Sequence, residues 1–175
     1  MEKEILNKHE LDSIITRITF QILEKCKNFE NLALIGIKRR GAILADRINE
    51  KIQEYKNKKS PVGYLDITLY RDDLTEIADY PELSGTEIEF SVKSKNIILI
   101  DDVIFTGRTA RAALDAIIDF GRPEKIILTC LIDRGHRELP IQPDFTGKYV
   151  PTSIEEKINV KLKELDGMDS VSIEK

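Results

Sequence analysis

An α/β fold, with a mainly parallel central sheet flanked by helices, is predicted by two features of this 175-residue sequence. Continuous apolar runs such as LALIGI, NIILI and KIILTCLI alternate with helical patterns, and strands apolar on both sides belong to sheets covered on both faces. Chemically unusual residues recur just beyond the strand patterns, as KRRG, RDD, DDVIFTGRT and DRGHRE. Open parallel sheets bind ligands at the carboxyl ends of their strands, so this recurrence points to a site there.

Leu11, Ile14, Ile15, Ile18, Ile22 and Leu23 recur at helical spacing, predicting an amphipathic helix over 11–27 with Asp12 or Ser13 at its start. LALIGI (32–37) is a short buried strand, followed by a helix from about Ala42 to Tyr55 and the exit loop KNKKSP. VGYLDITLY (62–70) is β-rich. From Arg71 to Lys95 the chain turns polar and acidic, and so long a segment in a compact domain reads as a functional flap or a small hairpin excursion. NIILIDDV is the next strand, 109–120 the next helix and KIILTCLI (125–132) another strand. NVKLKELDG and DSVSIEK read as two short strands at a sheet edge. Length and the 41% hydrophobic content suit one domain over 1–175, with the flap at about 71–95.

Composition excludes some classes. Apolar runs are short and flanked by charge, and MEKEILNKHE lacks a signal-peptide core, so a cytoplasmic protein with no membrane span is expected. Cys26 and Cys130 lie on separate apolar patterns and read as small core residues. A net charge of −4 argues against a general nucleic-acid binder, yet residues 36–59 hold eight Lys or Arg against three acids and 71–89 one Arg against seven acids. The basic stretch suits a phosphorylated ligand, RNA or simply a solvated face.

The centre of the sequence carries the chemistry. Asp101 and Asp102 sit where a buried strand emerges, and FTGRT turns directly into a helix. Its backbone N–H groups, the Thr106 and Thr109 hydroxyls and the helix amino end make a cradle for a phosphate monoester. Carboxylates beside that cradle would repel the phosphate itself; they suit a sugar diol, accepting hydrogen bonds from its two hydroxyls.

This window, Asp101, Asp102, Val103, Phe105, Thr106, Gly107, Arg108 and Thr109, resembles the phosphoribosyl-diphosphate (PRPP) motif of type I phosphoribosyltransferases. The resemblance implies the type I phosphoribosyltransferase fold with a flexible flap or hood, and a diphosphate bound with Mg²⁺. The cation is carried by PRPP, with Asp101 and Asp102 reaching it through water. The loop of Lys38, Arg39, Arg40 and Gly41 offers amides, cations and close backbone approach to that diphosphate. Arg71 would swing over it as the flap closes. Positive charge builds on the ribose as diphosphate leaves, so cations belong at the leaving group. Asp101, Asp102, Arg40 and Arg71 form the expected catalytic set.

DITLYRDDL, DDVIFTGRTARAALDAI and LIDRGHRELPIQPDFTGKYVPTS together closely resemble the PyrR family, regulators of pyrimidine operons that are also uracil phosphoribosyltransferases. The likeness runs over nearly the whole chain. It implies PRPP and uracil as substrates, UMP and UTP as effectors, leader mRNA as a partner, and a homodimer or larger assembly. Phe105 stands where purine enzymes of this fold place an acid, and a neutral ring there suits a base whose N1–H needs little help; packing beneath the loop explains it equally well. Ile132, Asp133 and Arg134 fall where the family reads the base. Thr16, Arg17, His136 and Arg137 match its RNA-binding positions. Three residues depart from the pattern: Phe20 replaces a histidine, Gln142 an arginine and Arg39 a threonine. A bifunctional protein, a transferase that has lost RNA binding, and a phosphoribosyltransferase for another base are therefore all carried forward. His136 has no partner at metal-ligand spacing, and His9 is incidental.

Overall fold

The computed structural model describes residues 2–70, 72 and 85–175. In chain order the elements are β1 (Glu2–Leu6), α1 (Lys8–Lys25), β2 (Leu32–Ile37), α2 (Arg40–Lys56), β3 (Val62–Leu65), β4 (Asn96–Ile104), α3 (Arg108–Asp119), β5 (Lys125–Asp133), β6 (Phe145–Tyr149), β7 (Lys157–Lys161), α4 (Lys163–Asp166) and β8 (Ser170–Glu174). Among the described residues β3-β2-β4-β5-β6 form one sheet, parallel throughout. The chain steps outward from β2 to β3 and returns past β2 to β4, so strand order reverses between β2 and β4. That is where an open α/β sheet leaves a crevice.

Strand alternation sorts the core. Leu32, Leu34, Ile98 and Ile100 face Leu11, Ile15, Ile18 and Ile22 of α1 and Leu44, Ile48 and Ile52 of α2. Their neighbours Ala33, Ile35, Ile97 and Leu99 face the other way, onto Ala110, Ala113, Ala116 and Ile117 of α3. Both faces are covered, as continuous apolar strands require. Cys26 and Cys130 are buried free thiols in opposite layers, and burial pushes Cys130 up to about 12. Among the described residues no helix is long and apolar enough to cross a membrane.

Several boundaries differ from the sequence reading. The first helix starts at Lys8, not near Asp12: Asn7 Oδ1 accepts from the His9 and Glu10 amides while Glu10 returns a bond to the Asn7 amide. This reciprocal cap satisfies donors that Asp12 or Ser13 would have left orphaned. The third strand stops at Leu65, because Asp66 Oδ1 accepts from the Thr68 amide and hydroxyl and bends the chain into a turn. Of the two C-terminal strands, β7 lies at a sheet edge as expected while β8 is central, and their sheet is not the parallel one. β8 pairs antiparallel with β1 on one side and β7 on the other in a separate sheet, β1-β8-β7, whose Leu6, Val160 and Val171 join the α1–α2 side of the core. Both β1, with its charged alternation, and β6, with Gly147 at its centre, lack the apolar runs that mark the other strands.

The described end of the acidic segment folds back rather than standing free. Tyr64 and Glu87 exchange backbone hydrogen bonds at 2.8 and 2.7 Å, and Val92 is buried with Ile88 and Phe90 packed beside it. Arg71 and residues 73–84, the greater part of the expected flap, lie outside the described residues.

Candidate active site

The strand carrying NIILI continues through both aspartates to Ile104, so Asp101 and Asp102 project from β4 itself rather than from a loop beyond it. The Asp102 amide donates to Asp101 Oδ1 at 2.9 Å. Burial pushes the Asp102 carboxyl above the ordinary aspartate range, against the pull of a hydrogen bond from Asp101, the Val103 amide and the Arg40 charge.

Gly107, at φ 92°, is the residue before α3 and turns the chain into the helix. A side chain at this φ would be strained, which is why the TGRT turn needs glycine here. Thr106 Oγ1 accepts from the Arg108 amide at 3.3 Å. A cavity of about 300 Å³ is lined by Asp101, the run from Val103 to Ala110, and Glu138. One wall therefore carries carboxylate oxygens and the other the amino end of a 12-residue helix.

The loop after β2 reaches the same crevice. A β-carbon on Gly41 would lie 2.5 Å from the Ile100 carbonyl, so only glycine lets this loop press against β4 beside Asp101. Its cations are already engaged on one side. Lys38 Nζ meets Glu87 at 3.0 Å, while Arg40 donates to the Val160 carbonyl at 2.5 Å and to Asp166 at 3.0 Å. Arg39 is exposed. Arg40 thus joins the expected catalytic loop to the second sheet, a link that the unremarkable sequence KELD gave no means of foreseeing.

At the end of β5, Ile132 and Asp133 are buried, and the Asp133 carbonyl and Arg134 amide pair with Val150 and Ile104. The Arg134 guanidinium lies 3.9 Å from the Phe105 ring centroid, held there by Thr152 Oγ1 and the Ser153 carbonyl, each at 3.0 Å. The His136 ring meets Phe105 edge-on at 5.8 Å. Arg108 is held between Glu138 at 2.9 Å and Asp72 at 2.8 Å. Glu138, the last residue of the DRGHRE cluster, lines the cavity, a placement that the sequence reading did not assign to it.

The positions expected to meet RNA divide between two elements. Thr16 donates to the Asp12 carbonyl on α1, and Arg17 donates to the Gly147 carbonyl of β6. His136 is exposed, with a ring nitrogen 2.6 Å from the Thr152 carbonyl, whereas Arg137 is turned inward. Phe20 stacks edge-on with Tyr55 at 4.3 Å, and Gln142 accepts from Arg137 at 3.1 Å.

Among the described residues no group of three or more His, Cys, Asp or Glu could hold a metal ion. The oxygens of Asp101 and Asp102 nevertheless fit Mg²⁺, a hard cation that commonly takes one or two carboxylates and completes its shell with substrate phosphates and water.

A strand-borne acid pair, a helix-capping TGRT turn and a glycine loop at one crevice define a phosphoribosyltransferase, and the phosphoribosyl transferase domain model matches residues 1–164. Hypoxanthine phosphoribosyltransferase from Trypanosoma cruzi superposes with a TM-score of 0.77 at 14% identity, covering 99% of this chain and 95% of that one. The Staphylococcus aureus enzyme gives 0.72 at 16%, covering 99% and 91%. At such identity these neighbours show the fold alone.

Within that class the chain belongs to the PyrR family. It is 55% identical over 170 residues to Bifunctional protein PyrR of Acetivibrio thermocellus, covering 97% of this chain and 92% of that protein. The Thermus aquaticus protein of the same name is also 55% identical over 170 residues, covering 97% and 94%. Bifunctional protein PyrR 1 of Lactiplantibacillus plantarum is 50% identical over 177 residues, covering 100% and 98%.

Proposed function

We propose that this protein transfers phosphoribose from PRPP to uracil, giving UMP and diphosphate, and that it also binds pyrimidine-operon leader mRNA as an attenuation regulator responding to UMP or UTP. The observation that carries the enzymatic half is a cavity bounded both by the Asp101 strand and by the amino end of α3. The regulatory half rests on membership of the bifunctional family.

In this reading the turn from Thr106 to Thr109 holds the 5′-phosphate and Asp101 and Asp102 accept the ribose hydroxyls. Uracil lies against the side of Phe105 that Arg134 leaves uncovered, with its edge toward backbone groups of the segment from Ile132 to Arg134. As the C1–oxygen bond breaks, diphosphate leaves with its electron pair and uracil N1 bonds to C1, losing its proton. Lys38, Arg39, Arg40 and the amide of Gly41 face the leaving group, and Arg71 completes the set from outside the described residues. Mg²⁺, held by the diphosphate with Asp101 and Asp102 nearby, would neutralise charge building on the leaving oxygens. Such a site operates in the cytoplasm, where PRPP and mRNA occur, and as a homodimer or larger assembly.

The test is a panel of uracil, orotate, hypoxanthine and guanine, each with PRPP and Mg²⁺. UMP formation from uracil alone is the expected result; turnover of a purine or of orotate in its place overturns the base assignment. Removing Mg²⁺ with a chelator should abolish turnover.

A second reading, a transferase without RNA binding, is favoured by Phe20 and Gln142, which replace two cations and are engaged with Tyr55 and Arg137. Filter binding of leader RNA with and without UMP, at two salt concentrations, separates the two. Bifunctionality requires tighter binding than to an unrelated hairpin and a response to UMP.

A further inference from the structure

The residues that hold the phosphate turn from behind come from the segment after β5. We propose that Arg137 is a positioning residue for that turn, acting through its backbone, rather than a cation offered to RNA. This rests on reading the turn as the 5′-phosphate cradle.

An arginine has five N–H donors, and here all five have acceptors. Nη1 donates to the Phe105 carbonyl at 2.8 Å and the Gly135 carbonyl at 3.4 Å, and Nε to the Ile141 carbonyl at 2.9 Å. Nη2 donates to Asp133 Oδ2 at 2.5 Å and Gln142 Oε1 at 3.1 Å. The side chain is 12% exposed. A guanidinium used in this way has no fork left for a phosphate of RNA.

The next two residues continue the grip, the Glu138 and Leu139 amides both donating to the Thr106 carbonyl at 2.9 and 3.2 Å. Arg137, Leu139 and Ile141 also close over Gly107, where an added β-carbon would lie 3.5 to 3.8 Å from their side chains. The consequence is directional. In a trans peptide the carbonyl and the following amide N–H point opposite ways. Turning the Phe105 and Thr106 carbonyls toward Arg137, Glu138 and Leu139 aims the Thr106 and Gly107 amides away from that segment, on the side of the turn where an anion would sit. The planar fork matters, since a lysine at this position could satisfy Asp133 but not also the Phe105, Ile141 and Gln142 acceptors.

The experiment compares the full-length protein with Arg137→Gln and Arg137→Lys. UMP affinity is measured by calorimetry, the PRPP and uracil KM and kcat by initial rates, and leader-RNA affinity without nucleotide by filter binding. Loss of the fork should weaken UMP binding and raise the PRPP KM by about tenfold or more in Arg137→Gln, the scale of losing hydrogen bonds to a charged group. Arg137→Lys should recover part of this, while the uracil KM moves by about twofold at most, a split that simple destabilisation would not produce. Should Arg137→Gln fail to fold, Arg137→Lys carries the comparison, with a PRPP KM raised above wild type. Wild-type UMP and PRPP constants in a folded variant, with RNA affinity lost, would overturn the proposal and make Arg137 an RNA contact. Failure of the wild-type protein to bind UMP would overturn the cradle itself, a result readable before any variant is made.

Discussion

Arg134 lies over Phe105, with its guanidinium carbon 3.9 Å from the ring centroid and its donors fixed by Thr152 and Ser153. The residue is 7% exposed, and burial lowers the pKa of its guanidinium. A desolvated guanidinium over an aromatic face is worth more than an exposed one, so the pair stiffens the ring that lines the cavity. The sequence reading left Phe105 open between packing and base contact; the geometry lets one ring do both, with Arg134 on one face and the cavity beside it.

A double-mutant cycle measures this coupling. Phe105→Leu and Arg134→Lys should each destabilise the protein in urea, and the double variant should lose less than the sum, by about 0.5 to 2 kcal/mol. Phe105→Leu should also raise the uracil KM more than the PRPP KM. Strict additivity would show that the contact is incidental.

Asp102 couples stability to function. Its carboxyl is raised by burial, so ionising it at neutral pH costs the native state stability. That contribution is fully favourable below the unfolded value of about 3.9, where both states are protonated, and is lost as pH rises through the raised folded value. Asp102→Asn should therefore raise the urea midpoint at pH 7 in Mg²⁺-free buffer, with the gain shrinking as pH falls toward about 4. UMP formation should fall by about tenfold to a hundredfold, because a charged acceptor for the ribose is gone. A variant less stable than wild type at pH 7 would contradict this account.

Gly107→Ala tests the turn without touching a functional group. At φ 92° an L side chain is strained, and the new methyl would meet Leu139 and Ile141 at ordinary contact distances, so the backbone cost dominates. We expect a loss of about 1 to 2 kcal/mol in stability together with weaker UMP binding. Unchanged affinity would mean that the left-handed turn is dispensable for the phosphate.

What the sequence revealed follows from the range of the forces involved. The apolar runs of β2, β4 and β5 signal burial locally, and TGRT after an apolar strand signals a tight turn into a helix locally, so both were legible from a dozen residues. The strand pattern NIILIDDV carries both acids, and β4 ends only one residue beyond it, at Ile104. The clamps on Arg40, Arg108 and Arg137 were illegible. Their acceptors are backbone carbonyls and common acids up to 126 residues away, and a carbonyl carries no sequence signature. Arg137 shows the consequence: by spacing it is a loop cation, but in the fold its donors are spent inside.

The second sheet has an acid-sensitive fastening. Arg47 of α2 reaches Glu164 at 2.6 Å and Asp169 at 2.7 Å, two residues flanking the turn between β7 and β8. Burial alone would raise the Asp169 carboxyl, but the Arg47 hydrogen bond and the Lys163 amide hold it below the ordinary range. Arg47 likewise holds Glu164 low. Depressed carboxyls stabilise the native state above their unfolded values, about 3.9 and 4.3, and that stabilisation disappears as pH falls through the folded values. Asp169 is 9% exposed and Glu164 48%, so most of the effect belongs to Asp169, with the Glu164 arm screened by solvent. Arg47→Met should cost about 2 to 3 kcal/mol at pH 7 by stranding a buried carboxylate, and Asp169→Asn in the same chain should restore part of it. In wild type, amide exchange in β1, β7 and β8 should quicken below about pH 4 before it does in β2, β4 and β5, whose bonds lie in the apolar layers. Simultaneous release of both sheets would show that Arg47 does not govern the docking, and would move the acid lability to the central sheet.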